Sequence, residues 1–180
     1  MYLTGGASGR NEGTVSVGKQ SVGIYAAGAG AYVVNNNGII NVGEESTGIF
    51  LSDGIRAENL GTAEINGTGN KAVGIYSENT AAGAVQITND NKIDLAGEQS
   101  IGIYASGNHN ISNTGNILIG NSSDPDQPGV GIYQDGIAGS ISNTGNINAG
   151  DNSIGIYNIN GTVTNSGSVT AGNGGTGIYL

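Results

Sequence analysis

The sequence predicts an all-β fold, a right-handed single-stranded parallel β-helix (a solenoid) of about seven coils with three short strands in each. Three observations carry this expectation. The tripeptide Gly-Ile-Tyr, once Gly-Ile-Phe, begins at Gly23, Gly48, Gly74, Gly102, Gly131, Gly155 and Gly177, at intervals of 22 to 29 residues. An asparagine marks each unit, and apolar residues alternate with polar ones between the markers. A repeat of this period signals stacked supersecondary units, each too small to bury its own apolar face.

The first strand of a unit follows the asparagine. Val15/Val17, Ile40/Val42, Ala63/Ile65, Ile93/Leu95, Ile117/Ile119, Ile147/Ala149 and Val169/Ala171 flank Ser16, Asn41, Glu64, Asp94, Leu118, Asn148 and Thr170. Such alternation describes a strand with one buried face. The second strand holds the Gly-Ile-Tyr, with Val22/Ile24, Val73/Ile75, Ile101/Ile103, Val130/Ile132 and Ile154/Ile156 sharing one parity. The third ends at the asparagine, with Val34, Ile87, Ile111, Ile141 and Val163 two residues before it. No stretch has a helical apolar period, and both prolines (Pro125, Pro128) fall in one insertion. The units are too short for propeller blades and too poor in leucine for leucine-rich repeats.

The asparagines Asn11, Asn36, Asn59, Asn89, Asn113, Asn143 and Asn165 are expected to stack as an inward ladder of side-chain amides. Two residues later come Gly13, Gly38, Gly61, Asn91, Gly115, Gly145 and Gly167, which suggests a tight turn at positive φ. The rings of Tyr25, Phe50, Tyr76, Tyr104, Tyr133, Tyr157 and Tyr179 lie on the parity opposite to the isoleucines. They are expected to point outward as a stacked stripe, structural first and also a possible contact surface for a sugar face or a partner protein.

Composition excludes several classes of function. The 35 glycines, abundant asparagine and 11% charged residues would suit disorder, were the apolar residues not in register. A net charge of −9 with five Lys and Arg leaves no basic stripe for nucleic acid and disfavours an anionic lipid surface. No apolar run is long enough to insert into a membrane, and the chain has no cysteine.

The search for chemistry finds little. His109, the only histidine, is expected in a surface turn. The Gly172–Gly177 stretch lacks the lysine of a phosphate loop. Asp124 and Asp126 in the insertion Asn121–Pro128 are a weak calcium pair. Glu64 and Asp94 read as one outward position in successive coils with Lys92 close by, the only carboxylate pair resembling an acid–base site. No catalytic, cofactor-binding or metal-binding residue is assigned, and a non-enzymatic chain is expected.

The coil consensus Asn-x-Gly-x-Ile-x-Ala-Gly-x-x-Ser-x-Gly-Ile-Tyr, clearest from Asn143 to Tyr157 and from Asn11 to Tyr25, resembles passenger-domain repeats of fusobacterial-type (type V) autotransporter adhesins. The resemblance implies that residues 1–180 are one β-helix segment excised from a longer passenger, displayed on the outer face of the bacterial outer membrane or secreted. It implies a rod-like stalk or binding face in cell adhesion and virulence, with a host-cell or bacterial surface protein or glycan as partner. No adhesive residue belongs to the shared consensus. Unpaired strand edges near Tyr2 and Tyr179 suggest end-to-end self-association as well. Two other readings remain open: a carbohydrate-active β-helix (lyase- or hydrolase-like, or glycan-binding), and a purely structural spacer.

Overall fold

A computed structural model describes residues 1–136 and 139–180. Among them are 22 strands and no helix, arranged in three parallel sheets of eight, seven and seven strands. The order within every sheet advances by one coil per strand, so each coil hands one strand to each sheet. One central coil shows the plan: Ile101–Gly107 in the ring sheet, His109–Asn113 in the asparagine sheet and Asn116–Ile119 in the closing sheet. The parallel β-solenoid of about seven coils is as the repeat predicts.

Short alternating segments adopt this form because their inward residues meet like residues above and below. Ile24, Ile49, Ile75, Ile103, Ile132 and Ile156 form one column, and Ile40, Ile65, Ile93, Ile117 and Ile147 another, all fully buried. Each such side chain contributes about 1.5–3 kcal/mol by leaving water. Turns are bonded from coil to coil too: the Thr114 and Gly115 amides donate to the Asn89 carbonyl at 2.9 and 3.1 Å.

The simple parity fails in the ring sheet. Val22 is exposed, and Val73, Ile101 and Ile154 are only half-buried, whereas Gly and Ile of the tripeptide are buried in succession in every coil before the last. The alternation breaks at the glycine, onto which the closing sheet's isoleucine packs. A Cβ on Gly23 would sit 2.7 Å from the Gly48 carbonyl oxygen and 3.4 Å from Ile40 Cγ2. The serines just upstream point inward: Ser46, Ser100 and Ser153 are buried, and the Ser46 hydroxyl donates to the Gly18 carbonyl at 2.6 Å.

The turn glycines also have another cause than the one expected. Of the marker positions only Gly61 has positive φ. At Gly115, Gly145 and Gly167 a Cβ would strike backbone of the preceding coil, so close stacking selects glycine there. A recurring left-handed position falls one corner later, on Gln20, Glu45, Lys71, Gln99, Asn152 and Gly174.

Candidate functional site

The ring column is longer than the tripeptide suggests. Tyr2 joins Tyr25, Phe50, Tyr76, Tyr104, Tyr133, Tyr157 and Tyr179, giving eight rings with centroids 4.8–5.2 Å apart and planes inclined by 3–14°. In-register pairing, Tyr76 beside Phe50 and Tyr104, imposes this spacing. Each interior ring therefore covers its neighbours' faces and shows solvent only its edge. A sugar face has no access to these interior rings. Beside them, half-exposed Val22, Thr47, Val73, Ile101 and Ile154 form a β-branched row along the same outer surface.

Among the described residues one hydroxyl of the column is engaged: Tyr104 donates to Asp135 Oδ2 at 3.0 Å. Burial, and then this bond and the carboxylate's charge, push the Tyr104 phenol well above the ordinary tyrosine range. Tyr76 and Tyr133 are pushed up by burial first and nearby carboxylates second.

The amide ladder forms, with one member replaced. Asn11 Nδ2 donates to Asn35 Oδ1 at 2.8 Å, and the chain continues Asn35 to Asn59 (2.9 Å), Asn59 to Asn89 (2.8 Å), Asn89 to Asn113 (2.7 Å), Asn113 to Asn143 (2.6 Å) and Asn143 to Asn165 (2.7 Å). Asn35, not Asn36, is the second rung, and Val33, not Val34, the buried residue before it. The turn Asn36-Asn37-Gly38 holds one residue more than its counterpart in the first coil, and Asn37 takes φ +60°. The amides also bond backbone within their own turns, as Asn113 Nδ2 does to the Gly115 carbonyl at 3.3 Å. Fully buried from Asn35 to Asn143, the ladder offers no amide to a ligand there.

The carboxylate pair does not face itself across coils. Glu64 lies in register with Lys92, and Asp94 with Asn66. The third coil spends two extra residues in its turn, so Ile65 stacks on Ile40 and Ile93, and Ala63 does not. Lys92 Nζ sits 3.7 Å from Glu64 and 3.2 Å from Asp94, a surface ion triad that holds both carboxylates on one cation.

His109 lies in a strand, fully buried, with Nε2 2.9 Å from Ser77 Oγ. The turn expected there is displaced upstream to the residues before it. The pair has the separation of a nucleophile and its base, yet Ser77 too is fully buried, so no substrate reaches it. Burial pushes the imidazole pKa down, outweighing the Gly107 backbone and the Asp135 charge.

In the insertion, Asp124 is an internal organiser. Its Oδ1 accepts the Asp126 amide at 2.9 Å and its Oδ2 the Gln127 side chain at 3.1 Å. Among the described residues no three acidic, histidine or cysteine side chains gather to hold a metal.

Among family models, that of the BigA third pectate lyase-like domain fits residues 1–179. No curated protein matches, and no solved structure does. A match over nearly the whole chain, together with the coil-by-coil parallel sheets, shows that the chain belongs to the BigA third pectate lyase-like domain family.

Proposed function

We propose that the chain is a rod segment of a bacterial surface adhesin, an autotransporter passenger displayed outside the outer membrane, and that it acts by presenting a face and not by catalysis. The observation that carries this reading is the outer surface of the ring sheet. Eight stacked ring edges run the length of the described solenoid beside a row of β-branched side chains broken at the buried Val130, a strip suited to a flat partner surface. Membership in a family named for BigA, a bacterial surface protein, supports the cell-surface location. Host-cell and bacterial surface proteins or glycans are the partner classes.

A carbohydrate-active role is the second reading, favoured by the pectate lyase-like description of the family. Against catalysis stand the closed Ser77–His109 pair and the shared ion triad of Glu64, Lys92 and Asp94. The test is display of the parent protein with this stretch removed in whole coils. Loss of attachment to cells, with surface display unchanged, supports the binding face; full attachment reduces the stretch to a spacer. Turnover of acidic polysaccharide, abolished by Glu64→Gln or Asp94→Asn, would overturn the non-enzymatic reading.

A further inference from the structure

On the outer face of the asparagine sheet, away from the ring column, a hollow of about 250 Å³ is lined by Ser8, Gly9, Arg10, Tyr32, Val34 and Arg56. Its composition is unlike the rest of the molecule. The chain has only two arginines, and both are here. It has nine aromatic residues, eight of them in the ring column, and Tyr32 is the ninth. Three residues from three successive coils thus converge on one spot in an otherwise acidic molecule.

Strand pairing explains the shape. Ser8, Tyr32 and Arg56 are stacked partners, and Arg10 pairs with Val34 beside them. The Arg56 guanidinium lies 4.5 Å from the Tyr32 ring centroid and fixes the ring. On the other side the ring's neighbour is Ser8, too short to cover it. Tyr32 is therefore the interior aromatic residue without a second ring stacked against it. Both guanidiniums keep free donors. Arg10 meets Glu12 at 2.7 Å with both side chains exposed, whereas exposed Arg56 only approaches the partly buried Glu58, to 3.7 Å. The exposed pair is weak and the longer one is loose, so each guanidinium can turn to a better bidentate acceptor.

We infer that this hollow is a binding site for a sugar ring that carries a carboxylate, the ring lying against the open side of Tyr32 and the carboxylate held by Arg10 and Arg56. The volume suits one such residue, at the end of a glycan or within one. Each half of the ligand answers one rarity of the site: an apolar sugar face for the lone ring, an anion for the only arginines.

The site gives the adhesin reading a glycan ligand and rests on it for its role, while the test below reads binding to this chain and not attachment of cells. The purified 180-residue chain is titrated with galacturonic acid and with N-acetylneuraminic acid, binding being followed by NMR shifts of the Tyr32 ring and the arginine Nε–H groups. Galactose and acetate, each lacking one half of the ligand, serve as controls. Saturable shifts for at least one acid sugar are expected, with binding weakened about tenfold or more in Arg56→Gln and in Arg10→Gln. Circular dichroism checks that the variants keep their fold. Absence of saturable shifts with both acids overturns the inference, as does unchanged affinity in both variants. Acetate binding as tightly as either sugar acid would show a simple anion site instead, and would also overturn it.

Discussion

The side-chain amide of Asn89 donates to Asn113 Oδ1 across 2.7 Å in the dry middle of the solenoid, while its own Oδ1 accepts from Asn59 at 2.8 Å. Replacing Asn89 by alanine strands a donor on one side and an acceptor on the other. A loss of about 2–6 kcal/mol is expected, from a penalty of roughly 1–3 kcal/mol for each of the two buried groups left without a partner. Asn36→Ala, beside the ladder and not in it, should change stability by less than about 0.5 kcal/mol. Urea unfolding of the two variants distinguishes them, and equal midpoints would remove the ladder from the account of stability.

Gly13 and Gly115 occupy the same marker position yet differ in surroundings. A Cβ on Gly13 has nothing within 4 Å, whereas one on Gly115 strikes the Asn91 backbone. Gly115→Ala should therefore destabilise by about 1–3 kcal/mol through overpacking. Gly13→Ala should be neutral, or stabilising by up to about 1 kcal/mol through the unfolded chain. Thermal melts of the pair check the contrast.

The buried imidazole predicts a loss of stability on mild acidification. Burial lowers the His109 pKa in the fold below its value in the unfolded chain. The unfolded state then binds more protons between the two values, so the contribution is fully present above about pH 6.5 and is lost as pH falls through the folded pKa. His109→Val, matching its stacked neighbour Val85, should flatten that part of the profile. The measurement is chemical unfolding at pH 7.5 and pH 5, and an unaltered pH slope in the variant would contradict it.

At the alkaline end the loss runs the other way, with rising pH. The Tyr104 phenol is raised in the fold, so the folded state holds its proton where the unfolded state has released it. Stability is therefore fully present below about pH 10 and declines as pH rises toward the folded value. Absorbance titration of phenolate formation should show a late step that Tyr104→Phe removes. In Asp135→Asn that step should move to lower pH, since a neutral partner no longer repels the phenolate.

Much of the architecture was legible because a solenoid writes its register into its sequence. Like residues must recur where they stack, so the Gly-Ile-Tyr spacing located every strand of the ring sheet except that of Tyr2. Errors arose where a turn changes length. Three consecutive asparagines hid Asn35 behind Asn36, and the longer turn after Asn59 moved Glu64 out of register with Asp94. Parity also misled at Val22, because the glycine that receives an isoleucine is buried next to its own buried isoleucine and breaks the alternation. His109 and Ser77 lie 32 positions apart and meet only through coil stacking, which no local pattern reveals. The hollow around Tyr32 was missed for the same reason: its residues are scattered over three coils and belong to no motif.

The backbone bonds of all three sheets run from coil to coil, parallel to the long axis. Tension applied along that axis therefore opposes the weakest coil junction alone, not the sum of many bonds sheared together. Under force the molecule should pay out length one turn at a time, each step releasing some two dozen residues and dissipating work before the next junction bears strain.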